Sequence, residues 1–149
     1  PPVSLEGMPC IHTAPSLRKV GDKWEKICVG TTTSTRMDRF TPGLIGQYGV
    51  RAIIGKGGLY QGSLDAMQKY GAVYLAIVGG AAALETEQIE EVEAVYFEEL
   101  HPEALYRFRV KNFGPLTVAM DSHGVHLYDQ VTENVKKKLP EIYAKLGVL

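Results

Sequence analysis

The sequence predicts an α/β domain with a mixed, mostly parallel sheet and flanking helices. Three observations carry this. The β-branched runs Lys26-Ile-Cys-Val29 and Ala52-Ile-Ile54 each stop at a polar, glycine-containing loop. Residues 72–78 are continuously apolar, as a central strand covered on both faces requires. From Leu127 onward, Val131, Val135, Leu139, Ile142 and Leu146 recur at a helical period. Strands alternating with helical segments build a sheet packed against helices.

Along the chain, Pro1-Pro-Val-Ser-Leu-Glu-Gly leads straight into the apolar run Met8-Pro-Cys-Ile11 and reads as the middle of a longer chain. Residues 15–22 read as a turn-rich connection and 24–29 as a strand. Thr41-Pro42 supplies an N-cap and a proline at the first helical position; Gly43, Gly46 and Gly49 keep that helix short. A strand over 51–54 leads to the loop carrying Lys56. The next helix is capped by Ser63, presents Leu64, Met67 and Tyr70 on one face, and ends at Gly71. Gly79-Gly80 turns the chain into an alanine-rich helix over 81–88. Strands follow at 92–97, 106–110 and 116–120, and the last long helix is expected to kink at Pro140. No internal repeat, linker or low-complexity tract interrupts the 149 residues, which form a single domain over 1–149.

Composition narrows the function classes. A net charge of −1 and a pI near 6.5 give no field that would gather nucleic acid or an anionic membrane. The Lys136-Lys-Lys138 cluster reads as a solvated helix face. No apolar run reaches the ~20 residues of a membrane span, and no signal-peptide pattern opens the chain, so a cytoplasmic location is expected. Cys10 and Cys28 lie eighteen apart without metal-ligand spacing and are expected to be buried, reduced thiols.

The two loops that follow the β-branched runs carry the chemistry. Gly30-Thr-Thr-Thr-Ser-Thr-Arg-Met-Asp38 offers hydroxyls, free backbone N–H groups and the Arg36 guanidinium; Ile54-Gly-Lys-Gly-Gly58 offers the Lys56 ammonium between glycines. Ligands of open α/β sheets bind at strand ends of this kind. Arginine grips a carboxylate with a planar fork, and lysine acts as a point charge. Two such cations on neighbouring strand ends suit a small dianion. Taken alone, the threonines could serve only as turn and capping residues, and the Lys56 loop lacks the spacing of a P-loop. Gly79-Gly80 could offer N–H groups to an anion, although close packing is preferred. Asp121-Ser-His123-Gly-Val-His126 looks like a metal cluster, yet two histidines three apart are common and Asp121 more naturally caps the following helix. His12 and His101 read as surface or turn residues without partners.

Those segments, with Lys69-Tyr-Gly-Ala-Val-Tyr74, Gly79-Gly-Ala-Ala-Ala-Leu84 and Asp121-Ser-His-Gly124, resemble the β subunit, or C-terminal domain, of class I iron–sulfur fumarases and tartrate dehydratases. They occur in the family's order and span almost the whole chain. The resemblance implies a swivelling β/β/α fold and a hydro-lyase that reversibly hydrates a C4 dicarboxylate, with fumarate/malate preferred over tartrate. It implies a [4Fe-4S] cluster held by a partner α subunit, whose iron polarises the substrate hydroxyl, and a hetero-oligomer open to a β–β contact. Thr32, Thr33, Arg36 and Lys56 carry over as substrate-binding residues, and Thr32, Arg36 and Lys56 as catalytic ones. No metal ligand carries over to this chain. Family members begin earlier, with a strand pair and a Thr-Gly-Arg-Asp type motif absent here, so an N-terminal segment is expected to be missing.

Two rivals use the same residues differently. One is a non-catalytic module that binds small carboxylates or phosphates through the same loops. The other is a self-contained metal hydrolase built on Asp121, His123 and His126.

Overall fold

The computed structural model describes residues 1–80 and 82–148. Its centre is a four-stranded sheet of order β1-β4-β5-β8, with β1 Pro9–Ile11, β4 Ala52–Gly55, β5 Val73–Ala76 and β8 Thr117–Met120. β1, β4 and β5 run parallel, in register Ile11↔Ile54↔Leu75; β8 closes the edge antiparallel. Two hairpins stand apart from this sheet: β2 Ser16–Val20 with β3 Lys23–Cys28, and β6 Ile89–Tyr96 with β7 Leu105–Val110. The expected α/β class with a mixed sheet is what the chain adopts.

The core lies between the sheet and two helices, α1 Thr41–Gly46 and α2 Gln61–Tyr70. Ile45, Val50, Ile53, Leu64, Met67, Tyr74 and Met120 form one buried cluster. Each large side chain so buried contributes about 1.5–3 kcal/mol. α2 follows its sequence pattern: Leu64 and Met67 face the sheet, and Gly71 ends the helix at φ 71°, a left-handed conformation that glycine adopts without Cβ strain.

Several boundaries differ from the sequence reading. The connection over 15–22 is strand β2, whose charged Arg18 and Lys19 hide the alternation; Gly21, at φ 60°, makes the tight turn into β3. Thr41 is not an N-cap, because a 3-10 helix over Ser34–Phe40 runs directly into α1. Its hydroxyl instead bonds back to the Met37 carbonyl. Ser63 lies inside α2 and donates to the Asp38 carboxylate, which also accepts the Tyr60 N–H at 2.8 Å; the helix start is thus fixed from a distant loop. Cys28 is exposed at the end of β3, because a hairpin outside the main sheet leaves one face to solvent. The alanine-rich helix, α3, spans Ala82–Glu87; residue 81, where it was expected to begin, lies outside the described residues.

α4 runs over Leu127–Leu146 and stays helical through Pro140. None of its residues is buried, so the carbonyl that Pro140 leaves unpaired can be hydrated. Among the described residues no helix is long and apolar enough to cross a membrane.

Candidate functional site

The carboxyl ends of β1, β4 and β5 open at one edge, and the two loops singled out in the sequence meet there. Backbone bonds fasten the threonine loop across that edge. Thr31 bridges Thr13, the Thr32 N–H donates to the His12 carbonyl at 2.8 Å, and Thr33 bridges Lys56 in parallel. The Ser34 N–H donates to the Lys56 carbonyl at 2.9 Å, and the Thr35 hydroxyl donates to the Gly58 carbonyl at 2.8 Å. The loop therefore extends the sheet beyond both strand ends.

This pairing brings Thr32, Thr33, Arg36 and Lys56 together. Thr33 and Arg36 are exposed, while Thr32 and Lys56 are half-buried. The Arg36 guanidinium donates to the Thr32 hydroxyl oxygen. The Lys56 stem lies so close to Gly79 that a Cβ there would stand 3.3 Å from Lys56 Cδ. This contact is with a loop side chain and is not the close helix–sheet packing expected of the Gly79-Gly80 turn. Gly57, at φ 74°, turns the chain immediately after the lysine. Lys56 makes no direct ion pair among the described residues, although its charge acts on the buried Glu85 carboxylate.

Beneath the cations lies a buried hydrogen-bonded chain the sequence reading missed. His12 Nδ1 is 3.0 Å from Ser34 Oγ, Ser34 Oγ is 2.9 Å from the Tyr74 hydroxyl, and that hydroxyl is 2.8 Å from the Gly57 carbonyl. Proton counting fixes the direction. A carbonyl only accepts, so the single Tyr74 proton goes to Gly57; Ser34 then donates to Tyr74, and His12 Nδ1–H donates to Ser34. His12 Nε2 is left as a bare lone pair, buried without a partner among the described residues. Burial pushes the His12 pKa down to about 4 and the Tyr74 hydroxyl up to about 12, so both stay neutral. The chain needs Gly55, because a Cβ there would stand 1.9 Å from Ser34 Oγ. His12 is thus not a surface residue. The signal was available: it follows the β1 run just as Lys56 follows β4.

A second unexpected residue is Glu85 on α3, 1% exposed, whose carboxylate is influenced by the Thr31 N–H of the threonine loop.

The Asp121 loop is built for structure. Asp121 Oδ1 accepts the N–H groups of His123 and Val125, closing a turn instead of capping α4. The cap is His126, whose Nδ1 accepts the Asp129 N–H at 3.1 Å; its Nε2 must then carry the proton it donates to the Leu59 carbonyl at 3.0 Å. Both ring nitrogens are therefore engaged, which removes the histidine a metal hydrolase would need. Nor do the residues present fit an iron–sulfur cluster, which thiolates hold. Burial pushes Cys10 up to about 11, and Cys28 stands exposed on a separate hairpin. Among the described residues no group of three His, Cys, Asp or Glu could hold a metal ion. Two concavities, of about 480 and 250 Å³, lie elsewhere and include none of Thr32, Arg36 and Lys56. The candidate site is an open edge.

Comparison with known proteins places the chain among relatives similar over most of its length. The chain is 43% identical over 143 residues to a Methanocaldococcus jannaschii protein provisionally named L(+)-tartrate dehydratase subunit beta, covering 95% of this chain and 73% of that one. It is 43% identical over 136 residues to the L(+)-tartrate dehydratase subunit beta of Escherichia coli, covering 91% and 66%. It is 38% identical over 142 residues to a Geobacillus stearothermophilus protein provisionally named class I fumarate hydratase, covering 94% of this chain and 27% of that one. The chain thus spans two thirds to three quarters of the beta subunits and about a quarter of the longer protein. The family model described as Fumarase C-terminus matches residues 1–131, and the chain belongs to that family.

Proposed function

We propose that this chain is the β component of a hydro-lyase acting on a C4 dicarboxylate, and that it supplies the groups that hold the substrate's carboxylates. The observation that carries the reading is the backbone bridge between Thr33 and Lys56, which brings a guanidinium loop and an ammonium without a direct ion-pair partner among the described residues to one strand edge. In this reading Arg36 clamps one carboxylate bidentately and Lys56 anchors the other. Removing a proton α to a carboxylate moves charge onto its oxygens, and fixed cations stabilise that charge most when water is excluded. The Thr32 hydroxyl, with a guanidinium donating to its oxygen, is favoured toward its deprotonated form and is suited to relay that proton.

An open edge is wet, and charge stabilisation is weak in water. The reading therefore needs a second surface to close over the site, and a cluster-bearing α subunit is the partner proposed. Its [4Fe-4S] group would supply the Lewis acid for the hydroxyl; this chain holds and orients the acid groups. Fumarate/malate is the substrate pair proposed first, because that activity is the more widespread of the two. Tartrate is a second reading, favoured by the higher identity to proteins named for tartrate. The test is to mix this chain anaerobically with a cluster-bearing α subunit and follow dehydration of malate and of tartrate. Activity should require both components. Turnover by the isolated, iron-free chain would overturn the proposal.

A further inference from the structure

Glu85 is a charged residue type in a place that should exclude charge. It is 1% exposed, and its Oε2 is buried with no hydrogen-bond partner among the described residues. Among the described residues, the Thr31 backbone N–H and the Lys56 ammonium are the groups that favour its charged form. Other charged side chains on the strands packed against α3 are engaged elsewhere or exposed. On β3, Lys26 donates to the Ile89 carbonyl, Glu25 pairs with Arg18, and Lys23 is exposed. On β6, Glu91 and Glu93 pair with Arg109 and Arg107, and Glu90 is exposed. His12, beyond the threonine loop, is neutral.

The geometry points to Glu85 as a positioning residue of the dicarboxylate site, one that takes up a proton when a dianion occupies Lys56. This rests on the function proposed above. While Glu85 is ionised, it compensates Lys56 from behind and repels an arriving dianion. Once protonated, it leaves the Lys56 charge whole. Burial already pushes the Glu85 carboxyl above its ordinary range, against the weaker opposing pull of Thr31 and Lys56. A dianion in front of Lys56 adds negative charge and raises it further. Dicarboxylate binding and protonation of Glu85 therefore reinforce one another.

The test uses the assembled α–β complex and succinate, a C4 dicarboxylate with no hydroxyl to lose. Calorimetric titration in two buffers of different ionisation enthalpy counts protons taken up per succinate bound, over a range from about pH 7 to about pH 9 where succinate itself is dianionic. The wild-type complex should take up protons, with affinity falling by up to about tenfold per pH unit above the Glu85 pKa. Glu85→Gln should take up none and show a flat profile. A merely structural role would lower the melting temperature and leave proton uptake unchanged; equal uptake in wild type and Glu85→Gln overturns the proposal. Should the Gln variant not assemble, the infrared difference spectrum serves instead. A protonated-acid C=O band that gains intensity on succinate binding and shifts in Glu85→Asp supports the proposal, and no such band overturns it. Lys56→Met separates the two levels: succinate affinity unchanged in that variant defeats the dicarboxylate reading itself, whatever Glu85 does.

Discussion

Lowering the pH should destabilise this protein through one buried ring, His12. Its pKa falls from 6.5 in the unfolded chain to about 4 in the native state, because burial disfavours the charged imidazolium. Between those values the unfolded chain binds more protons, so stability rises with pH across that window. The contribution is fully present above 6.5 and is lost as pH falls toward 4. At about 1.4 kcal/mol per pH unit between those two values, the contribution amounts to about 3 kcal/mol. Carboxylates titrate over the same range, so the measurement must be a difference. His12→Asn keeps a donor near the Nδ1 position for Ser34 but does not titrate there. Urea unfolding of both proteins, at steps from about pH 7 to about pH 4, gives the gap between them. The Asn variant should be less stable at neutral pH by a constant packing penalty. That gap should then close by about 3 kcal/mol on acidification. A gap that stays constant would show that the ring accepts a proton in the native state without penalty, and would refute the assigned chain of donors.

Two further predictions concern the site and its support. Arg36→Lys, which keeps the charge and loses the fork, should cost roughly 2–4 kcal/mol of transition-state stabilisation, read as kcat and kcat/KM of the reconstituted complex; Lys56→Met should be comparably damaging with an unchanged melting temperature, and near-normal kinetics in both variants would remove these residues from the site. Asp38→Ala removes the carboxylate that accepts the Tyr60 N–H and the fully buried Ser63 hydroxyl, leaving Ser63 only the longer contact to the residue 38 carbonyl; it should cost about 2 kcal/mol, or roughly 5 °C in Tm by calorimetry, and an unchanged Tm would mean that α2 starts without this tether.

The α/β class was legible because it rests on local patterns: apolar runs for β4 and β5, a glycine stop for α2, a helical period for α4. The meeting of the threonine loop with Lys56 was legible in part: Lys56 follows a strand of the parallel sheet, whereas the threonine loop follows β3 in the separate hairpin and reaches that edge through its backbone bonds to His12 and Lys56. What stayed hidden depends on the third dimension. His12 becomes buried through Ser34 and Tyr74, 22 and 62 positions away in sequence; its place after the β1 run marks a strand end but does not reveal those partners. Glu85 sits among alanines and looks like a solvent-facing charge until the threonine loop covers it. β2 was hidden by the charges on its exposed face, and the role of Asp121 by a turn that precedes the helix it was expected to cap.

The chain running from His12 through Ser34 and Tyr74 to Gly57 also bears on when the site comes into being. Its links close loops of 22, 40 and 17 residues. Closing such loops is entropically unfavourable until the strands that bring their ends together have already docked. The floor under Arg36 and Lys56 is therefore a late product of folding, absent from any intermediate in which β1, β4 and β5 have not aligned. Ligand affinity becomes a report on completed folding, and a partner that recognises this edge would engage finished molecules and pass over unfinished ones.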